Sequence, residues 1–167
     1  MTTTIPEDMK RPHELPPLEK FELKRWNKQE LARKEMHTFL KNTIRAACGE
    51  LVSDAAILNI IASIQSERMQ LWKLEGKAGN ETYLVGVLTT VVIDDKMMGR
   101  KYLNIGMANI YEGFEDELWE MGFSTLLKFA EEKQCDLIET DIVNDAIIER
   151  MQHLGFIETS RKMLREV

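Results

Sequence analysis

At 167 residues, with 44% hydrophobic and 30% charged residues, the chain is sized for one domain with a substantial core. Its formal net charge of −6 leaves no general attraction for nucleic acid, so nucleic-acid binding is not expected. No apolar run approaches a membrane span, and the opening MTTTIPEDMKRPHELPP lacks the apolar centre of a signal peptide, so the expected setting is cytoplasmic.

The charge is uneven. Residues 1–48 carry 10 Lys and Arg against 7 Asp and Glu, and residues 49–167 carry 12 against 21. The slightly basic head suits an acidic partner or a mixed helix surface equally. Cys48 and Cys135 form no motif and read as free thiols in a reducing compartment. His13, His37 and His153 have no metal spacing, so no metal is expected.

In chain order, residues 1–17 hold all four prolines (Pro6, Pro12, Pro16, Pro17) and read as an extended arm. Such an arm suits packing on another subunit, which would give a protein partner or a homo-oligomer. Residues 18–167 read as a single domain. Leu18–Trp26 alternates loosely, as a first strand. Asn27 caps a helix with Glu30 three residues on, a variant of the capping box, and Gly49 closes it. Leu31, Met36, Phe39, Leu40, Ile44 and Ala47 form its apolar stripe. Ser53 opens a second helix with a broad apolar face of Ile57, Leu58, Ile60, Ile61 and Ile64.

Met69–Leu74 reads as a short strand and Gly76–Asn80 as a turn. TYLVGVLTTVVI, Thr82–Ile93, is the best strand of the chain. Tyr102–Tyr111 returns as its partner, and lost alternation near Ala108–Asn109 predicts a bulge. A helix follows over Phe114–Lys133. Asp136–Asp141 reads as a mostly buried strand. Asn144 then stands at an N-cap position. Ile147, Ile148, Met151 and Leu154 recur at helical spacing, and Gly155 stands where a left-handed residue ends the helix. Arg161–Val167 reads as a last strand.

The block from Cys135 to Phe156 resembles the C-terminal signature of the GNAT family of N-acetyltransferases. That family places an Asn eleven residues before the Gly of a Gly-Phe pair, as Asn144 stands to Gly155 here. The element order resembles the family from about Lys20 to Val167. The resemblance implies an α/β (α+β) fold, with a mixed, mostly antiparallel twisted sheet of six to seven strands flanked by about four helices.

It also implies a ligand, acetyl-CoA, and a reaction, acetyl transfer to a small amine. The cofactor would lie in an opening between Tyr102–Tyr111 and Asp136–Asp141. The implied contacts are Met107, Ala108 and Asn109 beside the pantetheine arm, Gly113 in the phosphate loop, and Asn144. The family's loop carries Gln or Arg, then Gly-x-Gly or Gly-x-Ala. This chain lacks it in two registers: either Gly113 starts the motif with Glu115 in place of the second glycine, or Gly122 survives a turn into the helix. Glu112, Glu115, Asp116, Glu117 and Glu120 crowd the same segment, with no base nearer in sequence than Lys128. Acids in a first helical turn are ordinary dipole partners, but they oppose a pyrophosphate. The expectation is weak acetyl-CoA binding or none.

The family's proton donor is a Tyr four residues before the glycine. Met151 stands there. Tyr102 and Tyr111 are the nearest substitutes, and Glu81, Glu112 and Glu139 the candidate bases, with nothing to choose among them. Two readings follow. One is an active acyltransferase. The other is a degenerate, non-catalytic protein of the same fold, of the kind found as small virion components of tailed phages.

Overall fold

A computed structural model describes residues 16–49, 52–110, 116–141 and 145–159, apart from the side chains of Glu117, Asp145 and Ala146. The described strands are β1 (Lys20–Arg25), β2 (Gln70–Ala78), β3 (Glu81–Asp95), β4 (Arg100–Ile110) and β5 (Leu137–Thr140). The helices are α1 (Lys28–Leu31), α2 (Lys34–Cys48), α3 (Asp54–Gln65), α4 (Asp116–Glu132) and α5 (Asp145–His153). The sheet runs β1-β2-β3-β4-β5, antiparallel as far as β4 and parallel between β4 and β5. The mixed, mostly antiparallel sheet is as expected. Five strands stand among the described residues; the expected strand at Arg161–Val167 lies outside them, as does most of the expected N-terminal arm.

The first helix is broken where one was expected. Asn27 and Glu30 form the full capping box, with Asn27 Oδ1 accepting from Glu30 N at 2.9 Å and Glu30 Oε2 accepting from Asn27 N at 3.0 Å. Arg33 then goes extended, at φ −69° and ψ 139°. The cause is a phase error in the apolar stripe. Leu31 and Met36 are five residues apart, about 140° apart around a continuous helix. Breaking the helix between them brings both into one core cluster. From Met36 onward, Leu40 and Ile44 keep regular spacing, so α2 needs no further break.

The core forms two layers. Leu40 and Ile44 of α2 and Ile57, Ile61 and Ile64 of α3 pack with Leu71, Leu84 and Val87. On the other side, Leu118, Leu126 and Phe129 of α4 pack with Leu23, Trp72, Leu74, Val85, Leu88 and Leu103. Adjacent strand residues divide between the layers, as the period of a strand requires. Leu58, expected in the apolar face of α3, is instead 54% exposed. β2 also runs past Gly76, expected as a turn, because it stays paired there on both sides, Gly76 with Phe21 of β1 and with Tyr83 of β3; a Cβ on it would come within 2.6 Å of Leu18 Cδ1.

The end of α5 follows from Gly155, at φ +88°. Phe156 N donates to Met151 O and Gly155 N to Gln152 O, both at 3.0 Å. This is the Schellman pair of bonds, and it satisfies carbonyls the helix end would leave open. It turns the chain so that the Phe156 ring meets Phe123 of α4 edge to face, 5.2 Å between centroids.

Candidate functional site

The site begins with two consecutive threonines in the most apolar strand. Thr89 and Thr90 are 1% and 0% exposed, and a buried hydroxyl requires a partner. Thr90 accepts from Trp72 Nε1 at 2.9 Å and donates to Gln70 Oε1 at 3.0 Å. Thr89 Oγ1 accepts from the backbone N–H of Met107 at 2.9 Å. The β3–β4 register explains that second bond. Leu88 pairs with Ala108 and Thr90 with Ile105, so β4 carries one residue more than β3 across this stretch. The bulge therefore lies at Gly106–Met107, two residues before the expected Ala108–Asn109. A Cβ on residue 106 would sit 3.1 Å from Thr89 Oγ1, so glycine lets the hydroxyl reach the Met107 amide.

The bulge flips side chains between layers. Leu103 and Ile105 belong to the α4 layer, and strict alternation would put Met107 with them. Met107 packs instead against the α2–α3 layer. The bulge also coincides with the end of the β4–β5 pairing. That pairing runs from Tyr102↔Leu137 to Ile105↔Thr140, where Thr140 Oγ1 donates to Ile105 O at 3.2 Å. Among the described residues, no pairing joins the two strands beyond this point.

A cavity of about 530 Å³ occupies the opening. Leu88, Leu118 and Leu126 line it from the α4 layer, and Ile60, Met69 and Met107 from the α2–α3 layer. It therefore passes through the sheet where β4 and β5 part. Trp119, Phe123, Ile147 and Met151 close it between α4 and α5. Cys48 and Asp141, both exposed, also line it, so it opens to solvent. Among the described residues, no Lys, Arg or His lines it.

The same fold is found among solved acetyltransferases. An aminoglycoside N-acetyltransferase, AAC(6')-Iy, solved in complex with CoA, is similar at a TM-score of 0.63 and 15% identity, over 92% of this chain and 98% of that one. Glucosamine-6-phosphate N-acetyltransferase from Arabidopsis thaliana is similar at 0.60 and 13% identity, over 89% and 99%. An acetyltransferase of Trypanosoma brucei is similar at 0.60 and 15% identity, over 89% and 100%. At such identities the likeness is one of fold. No protein-family model matches the sequence, and no curated protein matches it significantly.

The residues named from sequence are placed as follows. Met107 and Ala108 line the cavity. Asn109 pairs with Val87 and is not part of the lining. Gly113 and Asn144 lie outside the described residues, with Tyr111, Glu112 and Glu115. Gly122, the alternative surviving glycine, is on α4 and lines the cavity. Tyr102 and the candidate bases Glu81 and Glu139 are not in the lining. Tyr102 has the Arg100 guanidinium over its ring at 5.6 Å. Glu81 accepts from the Tyr83 hydroxyl, a bond that raises the pKa of Tyr83 above its ordinary value. Among the described residues, no cluster of His, Cys, Asp or Glu could hold a metal, and no helix is long and apolar enough to cross a membrane.

The reading of an acidic segment without a base needs correction. Arg150 of α5 reaches back to the start of α4, with Nε 3.3 Å from Asp116 Oδ1. Its guanidinium also lies over the Trp119 ring at 5.7 Å. Arg150 is thirty-four positions from Asp116 in sequence, and only the packing of α5 on α4 brings them together. Both side chains are substantially exposed, so the pair itself contributes little to stability. Its consequence is a cation at the edge of the acidic turn.

Proposed function

We propose that this protein binds a CoA thioester in the β4–β5 opening and transfers the acyl group to an amine. The observation that carries this reading is the bulge at Gly106–Met107, which coincides with the end of the β4–β5 pairing beside an apolar, solvent-connected cavity. The fold supports it, since AAC(6')-Iy was solved with CoA on the same architecture. In this reading Met107 and Ala108 offer backbone groups to the pantetheine arm. Asn109, Gly113 and Asn144 complete the proposed binding path. Backbone amides at the start of α4 would face the pyrophosphate, with Arg150 offsetting the acids around them.

In the proposed reaction the amine nitrogen attacks the thioester carbonyl carbon. A C–N bond forms, the C–S bond breaks, and CoA leaves as its thiolate. Asp141 is the carboxylate among the described lining residues, and we assign it the proton lost by the amine. Met151 is 7% exposed, lines the cavity and has no proton to give. An ordinary thiol has a pKa of about 8.5, so a thiolate leaving near neutral pH can take its proton from water.

Met151 also favours a second reading, in which the fold binds its ligand without turning it over. A structural role, including one in a virion, belongs to that reading. Release of free thiol from acetyl-CoA in the presence of a panel of primary amines separates the two. The first reading predicts amine-dependent release that Asp141→Asn abolishes while CoA still binds. CoA binding with no release above hydrolysis would leave the second.

A further inference from the structure

We infer that the cavity takes an acyl chain longer than acetyl, with the end of the chain on the α2–α3 side of the sheet. This rests on the CoA-thioester reading for the position of the carbonyl, which would lie by Gly106–Ala108. Beyond that point the cavity continues past Met107 to Ala47, Ile60 and Met69. The cavity's volume of about 530 Å³ is shared between the pantetheine arm on the α4–α5 side and this α2–α3 side, where the acyl group would lie.

The lining decides the chemistry. Ala47, Ile60, Met69 and Met107 present only methyl, methylene and thioether groups, beside the exposed Cys48 thiol. No carboxylate or imidazole lines that side among the described residues, so nothing there pairs with a charged amine. An alkyl chain loses nothing by entering. Met69 and Met107 are unbranched and adapt to chains of different length. The bulge makes this possible, because it sends Met107 to the α2–α3 side beside the end of the β4–β5 pairing. The amine then approaches from the rim where Asp141 stands.

Calorimetric titration of the full chain with CoA and its acetyl, butyryl, hexanoyl and octanoyl thioesters tests this, with free octanoate and decanoate alongside. Affinity is expected to rise roughly fourfold per methylene buried, until the cavity is full. Ala47→Phe and Ile60→Phe, each shown to be folded by circular dichroism, should flatten that slope and leave CoA itself unaffected. Equal affinity for CoA and every thioester overturns the inference and leaves the CoA reading standing. A slope that both variants leave intact overturns the assigned location. Binding of the free acids in order of length, lost in the variants and without any binding of CoA, keeps the apolar-chain site and defeats the CoA reading. Binding of neither class overturns both.

Discussion

Thr89→Val should destabilise the protein and loosen the bulge. Valine keeps the β-branched shape and removes only the hydroxyl, so the perturbation is confined to one hydrogen bond. That bond holds Met107 N–H at 2.9 Å from an oxygen on a residue 1% exposed. Removing one partner of such a bond costs about 1–3 kcal/mol, because the other is left unsatisfied. For a domain of this size each kcal/mol lowers Tm by about 2–4 °C, so the fall should be about 2–12 °C. Urea unfolding followed by tryptophan fluorescence would measure it, with the m-value unchanged. Thr89→Ser is the control, since it loses a methyl but keeps the oxygen. Amide exchange at Met107 distinguishes the two: valine should speed it and serine should not. If Thr89→Val keeps the wild-type Tm and leaves Met107 exchange unchanged, the hydroxyl does not hold the bulge, and the reasoning fails.

Gly155→Val should cost about 1–3 kcal/mol through backbone strain alone, because φ is +88° and a Cβ there meets nothing within 4 Å; thermal melting would read it, and an unchanged Tm would contradict it. Arg150→Gln should weaken CoA binding severalfold, and Asp116→Asn should strengthen it, both effects shrinking as salt is raised; calorimetry at low and high salt would check this. Glu30 should contribute to acid sensitivity. Its partial burial pushes its pKa up, but the Asn27 amide and the Lys73 ammonium outweigh that and hold it below the ordinary 4.5. A depressed carboxylate stabilises the fold fully above its unfolded pKa and loses that contribution as pH falls through the folded one. Stability should therefore decline below about pH 4.5, and Glu30→Gln should flatten part of that decline in urea melts across pH.

Much of the fold was legible because its signals are local. The Asn27–Glu30 box, Ser53 before α3 and Gly155 after α5 each act within one turn of chain. The split of α1 from α2 was legible in principle, from the five-residue step between Leu31 and Met36. The existence of the bulge was read correctly but placed two residues late. Alternation shows that the period is lost, whereas position depends on where Thr89 on the next strand offers its hydroxyl. The clue was the pair of threonines inside an apolar run.

Of the residues named for the site, Met107 and Ala108 line the cavity, Asn109 does not, and Gly113 and Asn144 lie outside the described residues. Met107 and Ala108 were named for the right strand, and Met151 was recognised as lacking a proton to give. Cys48, Thr89, Thr140 and Asp141 were not named for the site, because only the folded sheet brings them to one cavity. Arg150 was invisible for the same reason. Its role depends on how α5 crosses α4, and no spacing within either helix encodes that.

The central claim is that the β4–β5 opening receives a CoA thioester. Methionine methyl groups report it directly, because Met69, Met107 and Met151 line the cavity while Met97 and Met98 stand exposed at the β3–β4 turn. Titrating acetyl-CoA into methyl-labelled protein at about 0.15 M salt, where distant surface charges are screened, should move the Met107 and Met151 resonances together along one saturating curve. Met97 and Met98 should stay in place. Cavity methionines that do not move at saturating ligand, or shifts confined to Met97 and Met98, would contradict the claim.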